Sequence, residues 1–430
     1  MREFDGPRGS VQATVSRMRI TKIEDLHADG GWRTLSFLKI TTDEGIVGYA
    51  ECAEGMGGPG MIQVIRRMAQ SVVGLDPRNV GAIGSRLYLG HQMTQGGMVA
   101  QAIGAIENAC LDIKGKAAGM PVYDLYGGRQ RDRLQTYWSH CGTYRVRSNG
   151  LFEDTNGTPP IRSLDDLAAL GKEVVGKGYR ALKTNLLLFD GDRPRQYRPA
   201  FMGGPGSPEL NISPALIRAA EAQMGTFRDA VGPDVGLMLD LNTHYKSDGL
   251  RRMANALEPL DLTWLEVDCY SPAALAALRA WTTLPIGSLE TIYGRRQVKP
   301  FLDAEAVDVC IVDPLWQGFP EAMKIANLAE TYEVNVAAHN SHGYHATIMG
   351  AHMSAAIPNF RYMEFDVDEV PWMSDFFTAS PVVENGEMLL PEGPGWGCDV
   401  VEEAVRAHPP KNGDKAPWLL DWHRAQGLDV

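Results

Sequence analysis

Eight short apolar segments recur after residue 132, each followed by a stretch with helical spacing of apolar residues. They span residues 134–140, 179–185, 235–240, 262–267, 285–290, 309–313, 334–339 and 360–365. Apolar strands that alternate with helices indicate a parallel sheet. Eight repeats over about 240 residues match the size of a (β/α)₈ barrel. A doubly wound sheet is the alternative, but the glycine-rich phosphate turn typical of that fold is missing after the first segment.

The remaining chain divides into three further parts. Residues 18–51 show strand patterns and residues 61–125 show helical spacing, so we predict an α+β domain over 18–131. The barrel is predicted over 132–375, and the segment 376–430 is expected to pack back onto the first domain. Residues 1–17 are predicted to be a flexible extension. A Pro-, Gly- and Arg-rich stretch at 190–213 is predicted to be a long loop over the barrel mouth.

The bulk composition excludes several classes of protein. Of 430 residues, 44 % are apolar and 22 % are charged, which is typical of globular proteins. No apolar run is long enough to span a bilayer, and the first twenty residues lack a signal-peptide core. The net charge of −12 disfavours binding to nucleic acid. The six cysteines form no CxxC pair, so we expect free thiols in the cytoplasm.

A polar residue closes seven of the eight predicted strands. They are Lys183, Asp240, Glu266, Glu290, Asp313, His339 and Glu364, and the last six are spaced 23–26 residues apart. Barrel enzymes build their active sites at the carboxyl ends of the strands. The pattern therefore predicts that all seven side chains face one mouth.

Three carboxylates on adjacent strands, Asp240, Glu266 and Glu290, would repel one another in a partly buried site. A hard divalent cation removes this repulsion, and oxygen ligands suit Mg²⁺. We therefore predict a Mg²⁺ site. The alternative is that each acid forms an ordinary surface ion pair.

The next two strand ends carry Asp313 and His339, which predicts a carboxylate that orients a histidine base. A packing role is the alternative for the histidine. Glu364, on the last strand, is a candidate donor to a developing oxyanion if it is protonated, and an ion-pair member otherwise.

The order of these residues resembles the mandelate racemase branch of the enolase superfamily. Three segments outside the strand ends add to the resemblance: DEGIVGYAE (43–51), AIGAIENACLDIKGKAAGMPVYDLYGG (102–128) and GFPEAMKIANLAETYEVNVAAH (318–339). The resemblance implies a (β/α)₇β barrel of TIM type with an α+β capping domain completed by the C-terminal tail. It also implies Mg²⁺-assisted removal of the proton alpha to a carboxylate, giving an enediolate, and a symmetric homo-oligomer.

Within this branch, Lys183-Thr184-Asn185 resembles the Lys-x-Asn of D-galactonate-type dehydratases more than the Lys-x-Lys of the racemases. Those dehydratases carry a histidine acid at the place of Asn242, and His244 lies two residues further on. The capping loops near 27–33, 52–60 and 190–213 are expected to select the substrate. His27, Trp32, Asn185 and Asn242 are therefore predicted to contact it.

Three functions follow from these residues. The first is an acid-sugar dehydratase that forms a 2-keto-3-deoxy acid, with His339 as the base and either His339 or His244 as the acid. The second is a racemase or epimerase of a 2-hydroxy acid, in which Lys183 and His339 act on opposite faces. The third is a metal-binding homologue without catalytic activity.

Overall fold

The computed structural model describes residues 18–411 except 55–57, 59, 95, 192 and 199–211. The predicted extension 1–17, much of the predicted loop 190–213 and the end of the tail lie outside the described residues. None of the described helices has both the length and the apolar character needed to cross a membrane.

The first part of the chain is an antiparallel sheet covered by helices, which we call the cap. Its strands are β1 (Ile20–Asp29), β2 (Thr34–Thr42) and β3 (Val47–Cys52), and its helices are α1 (Met61–Ala69), α2 (Val80–Gly90) and α3 (Gly97–Ala118). The sheet order is β1-β2-β3. Helix α3 packs on β2 and β3 and ends at Gly119, whose φ of 67° favours glycine at this position.

The second part is a closed barrel with a short hairpin inserted after its second strand. The strands are, in chain order, β4 (Arg133–Ser139), β5 (Ala181–Asn185), the hairpin β6 (Leu187–Leu188) and β7 (Arg195–Gln196), β8 (Gly236–Asp240), β9 (Trp264–Glu266), β10 (Ile286–Ser288), β11 (Val309–Val312), β12 (Asn335–Ala338) and β13 (Phe360–Asp366). The eight barrel strands pair in parallel, and β13 pairs with β4 to close the barrel. The predicted fold class is confirmed, since each of the eight predicted segments overlaps one barrel strand.

Helices follow the barrel strands and form the outer layer. They are α4 (Thr143–Arg147), α5 (Asn149–Asn156), α6 (Leu164–Gly176), α7 (Pro214–Val231), α8 (Ser247–Leu257), α9 (Pro272–Trp281), α10 (Arg295–Asp303), α11 (Pro314–Gln317), α12 (Phe319–Glu330) and α13 (Tyr344–Ala356). Short 3₁₀ turns occupy Gln92–Thr94, Val122–Tyr126, Glu258–Leu260 and Met373–Phe376. The barrel interior is filled by large side chains, with Tyr137 and Trp264 in edge-to-face contact at 5.7 Å.

The tail after residue 376 contacts both parts. It contains β14 (Val383–Glu384), β15 (Glu387–Leu389) and α14 (Glu402–Ala407), and β15 pairs antiparallel with β4. The backbone N–H of Asp29 donates to the carbonyl of His408 at 2.8 Å, and Lys39 forms a salt bridge with Glu402. The tail therefore holds the cap against the barrel.

Candidate active site

The polar residues predicted at the strand ends lie at the carboxyl end of the barrel, and all seven are buried. Three non-glycine residues near these ends have positive φ: His140 (46°) after β4, Asn242 (48°) after β8 and Leu289 (94°) after β10. Such conformations are strained for residues with a side chain and are typical of functional sites. Glu290 follows Leu289 and lies beyond its strand, which is shorter than predicted.

Asp240 is held by two asparagines. The Asn242 backbone N–H donates to Oδ1 of Asp240 at 2.7 Å, and its side-chain amide donates to both oxygens at 2.9 Å. Asn185, opposite Asp240 on the neighbouring strand, donates to Oδ2 at 3.1 Å. Both asparagines predicted to contact substrate therefore orient the first predicted metal ligand.

Glu266 lies opposite Asp240 in the register of β8 and β9. Its Oε1 accepts from Nζ of Lys183 at 2.8 Å and its Oε2 accepts from the Trp264 indole at 2.8 Å. Burial raises the pKa of Glu266 to about 7, with Asp240 and Glu364 adding to the effect and Lys183 opposing it. Burial and the neighbouring acids Asp268, Glu266 and Asp240 also raise the pKa of Glu290, against the opposing charge of His339.

This donor set fits a divalent cation. The three predicted ligands offer only carboxylate oxygens, and they are buried with too little positive charge around them. A fourth acid, Asp268, was not predicted. It follows Glu266 by two residues, and burial and Asp240 raise its pKa to about 7. An acid two residues beyond a strand end was the only signal for it in the sequence.

The predicted dyad is formed. Nδ1 of His339 lies 2.8 Å from Oδ2 of Asp313, and its Nε2 lies 3.5 Å from Glu290. The other Asp313 oxygen accepts the backbone N–H groups of Leu315 and Trp316 and caps α11. Burial would lower the pKa of His339, but the carboxylates Glu290, Asp313 and Glu364 raise it well above its usual value.

His342 joins the dyad and was not predicted. Its Nε2 lies 3.1 Å from the Asp313 oxygen that contacts His339. Burial would raise the pKa of Asp313, but the hydrogen bonds from both histidines hold it well below its usual range. The ligand atoms of Asp313, His339 and His342 lie within 4.8 Å of one another, close enough to hold a metal ion. We interpret them instead as a hydrogen-bonded unit, because both histidines bond directly to one carboxylate oxygen.

Within the described residues, Asp240, Glu266 and Glu290 do not form an equally close trio. Each contacts a neighbouring donor instead: Asn242, Lys183 or His339. The three acids stay the predicted ligands, because hard divalent ions prefer oxygen ligands.

Glu364 differs from its predicted role. Its Oε1 accepts from Ser139 and from Lys183 at 2.8 Å, and its Oε2 accepts the backbone N–H of Asn340 at 2.7 Å. Burial would raise its pKa, but Lys183, His339 and His140 lower it to about 2. A carboxylate that accepts three hydrogen bonds is not an oxyanion donor. The geometry supports the alternative ion-pair role, in which Glu364 holds Lys183.

His244 is buried beside the first metal ligand, with its ring near Tyr197 and Tyr245. Its pKa is lowered to about 4 by burial and by Arg198, while Asp240 has the opposite effect. A histidine with this pKa is neutral near pH 7, so it is a poor reservoir of protons there.

The two predicted cap contacts have different surroundings. The His27 ring on β1 lies 2.9 Å from Asp25 and 2.9 Å from Ser36, so both nitrogens have partners within the cap sheet. The structure gives His27 no support as a substrate contact. Trp32, in contrast, stacks on Tyr144 of α4 with ring centroids 4.3 Å apart. Trp32 therefore connects the cap to the barrel mouth.

The cap also holds the segment that carries His342. A guanidinium nitrogen of Arg33 donates to the His342 carbonyl at 2.9 Å. Glu51, at the end of the cap sheet, accepts the backbone N–H groups of Gly343 (2.7 Å) and Ala346 (3.0 Å). Arg33, Glu51 and His342 line a cleft of about 220 Å³, including space open to solvent.

Comparison with known proteins agrees with this architecture. Residues 166–404 match the enolase C-terminal domain-like family, and residues 30–127 match the N-terminal domain of mandelate racemase and muconate lactonizing enzyme. The chain is 28 % identical to D-xylonate dehydratase of Haloferax volcanii, covering 94 % of this chain and 92 % of the relative. It is also 28 % identical to D-galactonate dehydratase of Ralstonia nicotianae, covering 90 % and 94 %.

A crystal structure from Burkholderia xenovorans is similar in fold and sequence. That protein, provisionally named an L-alanine-DL-glutamate epimerase, was solved with magnesium and fumarate bound. It shares 41 % identity with a TM-score of 0.90, covering 94 % of this chain and 99 % of that one. The chain therefore belongs to the mandelate racemase and muconate lactonizing enzyme branch of the enolase superfamily.

Proposed function

We propose that this protein is a Mg²⁺-dependent hydro-lyase that dehydrates an acid sugar to a 2-keto-3-deoxy acid. The observation that carries the proposal is the arrangement of His339. Asp313 orients its Nδ1, and its Nε2 faces Glu290, one of the three proposed metal ligands. A base in this position would be adjacent to a substrate carboxylate bound by the cation that those acids would hold. The named dehydratase relatives support the same reaction class.

Asp240, Glu266 and Glu290 would hold the cation, as their buried, oxygen-only donor set suggests. When bound, it would polarise the substrate carboxylate and stabilise the negative charge that develops on it. Asn242 and Asn185 keep the Asp240 oxygens oriented, and the buried indole of Trp264 does the same for Glu266.

The proposed reaction needs one base and one acid. Nε2 of His339 removes the C2 proton, and the electron pair of that bond forms the C2–C3 double bond as the C3–O bond breaks. The leaving oxygen takes a proton and departs as water, and the resulting enol converts to the 2-keto-3-deoxy acid. We assign this proton to protonated His339, because His244, with its pKa of about 4, carries no proton to give near pH 7.

Lys183 acts as a positioned cation in this proposal. Its Nζ lies 2.8 Å from both Glu266 and Glu364. Burial would lower the pKa of Lys183, but these two carboxylates raise it well above its usual value. The cation would offset the charge of Glu290, the carboxylate that raises the pKa of His339 most, whereas Glu364 beside Lys183 is not one of its proposed ligands. The pKa of His339 would therefore fall when the cation binds, while Lys183 would keep Glu364 as an ion-pair partner.

An epimerase is the second candidate, supported by the name of the Burkholderia xenovorans relative. It requires a second base on the opposite face of C2, and Lys183 is the residue placed for that role. The pairing of Lys183 with two carboxylates favours the hydro-lyase.

The test is a screen of aldonic and aldaric acids with Mg²⁺ present, with 2-keto product measured by semicarbazone absorbance. We expect at least one acid to yield a 2-keto-3-deoxy acid, and the His339→Asn variant to yield none. An epimer without any keto acid would replace the proposal with the epimerase. A Mg²⁺-binding protein that turns over no acid in the screen would indicate a homologue without catalytic activity.

A further inference from the structure

Arg147, at the end of α4, is half-buried and has little compensating charge around it. Its guanidinium lies over the Trp32 ring at 4.6 Å and the Tyr144 ring at 5.0 Å. Among the residues that the structure describes, none forms a carboxylate salt bridge with it. Aromatic faces attract a cation but compensate its charge only in part.

The acids near Arg147 are already engaged. Asp366 accepts from Tyr144 at 3.2 Å, contacts His140 at 2.9 Å and pairs with Arg33 at 3.3 Å. Glu369 also pairs with Arg33. Both carboxylates bond to other side chains, and neither forms a salt bridge with Arg147.

Arg198, which follows β7, brings a second guanidinium to the same place. Burial and the positive charge of Arg147 together lower the pKa of Arg198 to about 10, while Tyr144 has the opposite effect. Burial and Arg33 likewise lower the pKa of Arg147, although Tyr144 has the opposite effect. A half-buried guanidinium that forms no carboxylate salt bridge and lies near a second guanidinium is a pattern typical of anion-binding sites.

This basic cluster, Arg147 and Arg198 with Trp32 and Tyr144, adjoins the proposed reaction centre on two sides. On one side, His140 stacks on Tyr144 at 4.4 Å and contacts Ser139, which donates to Glu364. On the other side, the charge of Arg198 lowers the pKa of His244, and the charge of Asp240 raises it. The cluster is built from a cap loop and from the segments after β4 and β5. It therefore lies where the far end of a substrate would meet the cap.

We propose that Arg147 and Arg198 bind a second carboxylate of the substrate, so that the acid sugar is a dicarboxylic acid. A guanidinium fork matches a carboxylate in shape and charge, and a substrate carboxylate would give Arg147 the ion-pair partner that it lacks among the described residues. The role of the dicarboxylic acid as a substrate depends on the proposed hydro-lyase function. The preference for binding a dicarboxylic acid over a monocarboxylic acid does not depend on that function.

The test compares each aldaric acid of four to six carbons with the aldonic acid of the same stereochemistry. Binding to the Mg²⁺-loaded full chain is measured by calorimetry in the His339→Asn background, which prevents turnover. We expect at least one diacid to bind tenfold or more tightly than its monoacid. Arg147→Gln should weaken diacid binding tenfold or more and leave monoacid binding unchanged. Arg162→Gln, at a site where the side chain is 69 % exposed, is the matched control and should change neither.

Because the two aromatic rings compensate the half-buried Arg147 cation only in part, Arg147→Gln should also keep or raise the melting temperature. Equal binding of diacids and monoacids, equal weakening of both by Arg147→Gln, or tighter binding of a sugar-acid phosphate would overturn the proposal. So would failure of every diacid to bind. A diacid preference together with an epimer product would overturn the hydro-lyase and leave this subsite standing.

Discussion

Nε2 of His342 lies 3.1 Å from Oδ2 of Asp313, the same atom that His339 contacts at 2.8 Å. The shared oxygen makes His342 a positioning residue, because it restrains the carboxylate that orients the base. His342→Phe keeps a ring beside Trp316, which now lies 5.5 Å from the His342 ring, but removes the hydrogen bond.

We expect His342→Phe to lower kcat about tenfold with little change in KM. Without the second hydrogen bond, Asp313 interacts more strongly with His339 and raises the pKa of His339. The acidic limb of the kcat–pH profile should therefore move to higher pH. A variant with unchanged kcat and an unchanged profile would show that His342 only packs.

His339→Asn tests the assigned base. The variant should lose exchange of the substrate α-proton with deuterated solvent by about 10²–10⁴-fold, the usual contribution of a general base. Exchange is measured by NMR on an acid that the wild-type protein turns over. Undiminished exchange would move the base role to another residue, with Lys183 the first to examine.

Glu266→Gln tests the cation site. The neutral amide still accepts a hydrogen bond from Lys183 or Trp264 but contributes no charge to a divalent ion. We expect activity to disappear and the rise in melting temperature on adding Mg²⁺ to fall sharply, with the circular dichroism spectrum unchanged. Glu330→Gln, at an exposed position on α12, serves as the control. Near-native activity at limiting Mg²⁺ would contradict the assignment.

Lys183→Ala separates the two candidate reactions. In the hydro-lyase, turnover should fall, since Glu266 and Glu364 lose their shared cation, but exchange driven by His339 should persist at a reduced level. In a two-base epimerase, exchange would vanish for one epimer and survive for the other. Following exchange from each epimer separately distinguishes these results.

Glu107 lies on α3, away from the proposed reaction centre, and we expect it to make the stability of the protein depend on pH. Burial raises its pKa to about 8, with Lys324 opposing and Glu321 adding to the effect, against 4.5 for an ordinary glutamate. Between these values the unfolded chain releases the proton while the folded protein keeps it. The contribution of Glu107 to the free energy of unfolding is therefore fully present below about pH 4.5 and is lost as the pH rises toward 8.

Glu107→Gln should remove this loss. We compare the free energy of unfolding of the variant with that of the wild type at each pH. This difference should favour the variant by a few kcal/mol more at pH 8.5 than at pH 5. Calorimetric unfolding at both pH values measures the difference, and Glu330→Gln should show none. A variant that follows the wild type at both pH values would mean that Glu107 is ionised in the fold.

The sequence was sufficient to predict the barrel and the order of the polar residues at its strand ends. Strand periodicity and repeat length can be read locally along the chain. The roles of Glu364 and His342 were not accessible in this way. The charge state of Glu364 depends on Ser139, Lys183 and Asn340, which come from three other strand ends. His342 meets Asp313 only because β11 and β12 are neighbours. Spacing along the chain reports neither contact.

The same limit applies to the cap. His27 lies on a regular strand, and its ring is bound by Asp25 and Ser36 within the sheet. Trp32, five residues later, lies in the connection between two strands and reaches Tyr144 of the barrel. The predicted loop 27–33 is shorter in the structure, because β1 runs to Asp29 and β2 begins at Thr34. Only cross-strand pairing separates the residue within the sheet from the one that reaches the barrel mouth.

The hydrogen bonds from Arg33 and Glu51 to the segment 342–346 have a consequence for how this protein can be divided. A barrel produced without its cap would retain every proposed metal ligand, yet the backbone that carries His342 would lose three of its anchors. The proposed ion site would then be preserved. The orientation of the base His339 would be less fixed, because His342 restrains the Asp313 carboxylate that orients it. Cap and barrel are thus two halves of one catalytic unit, and neither is a module that could be exchanged alone.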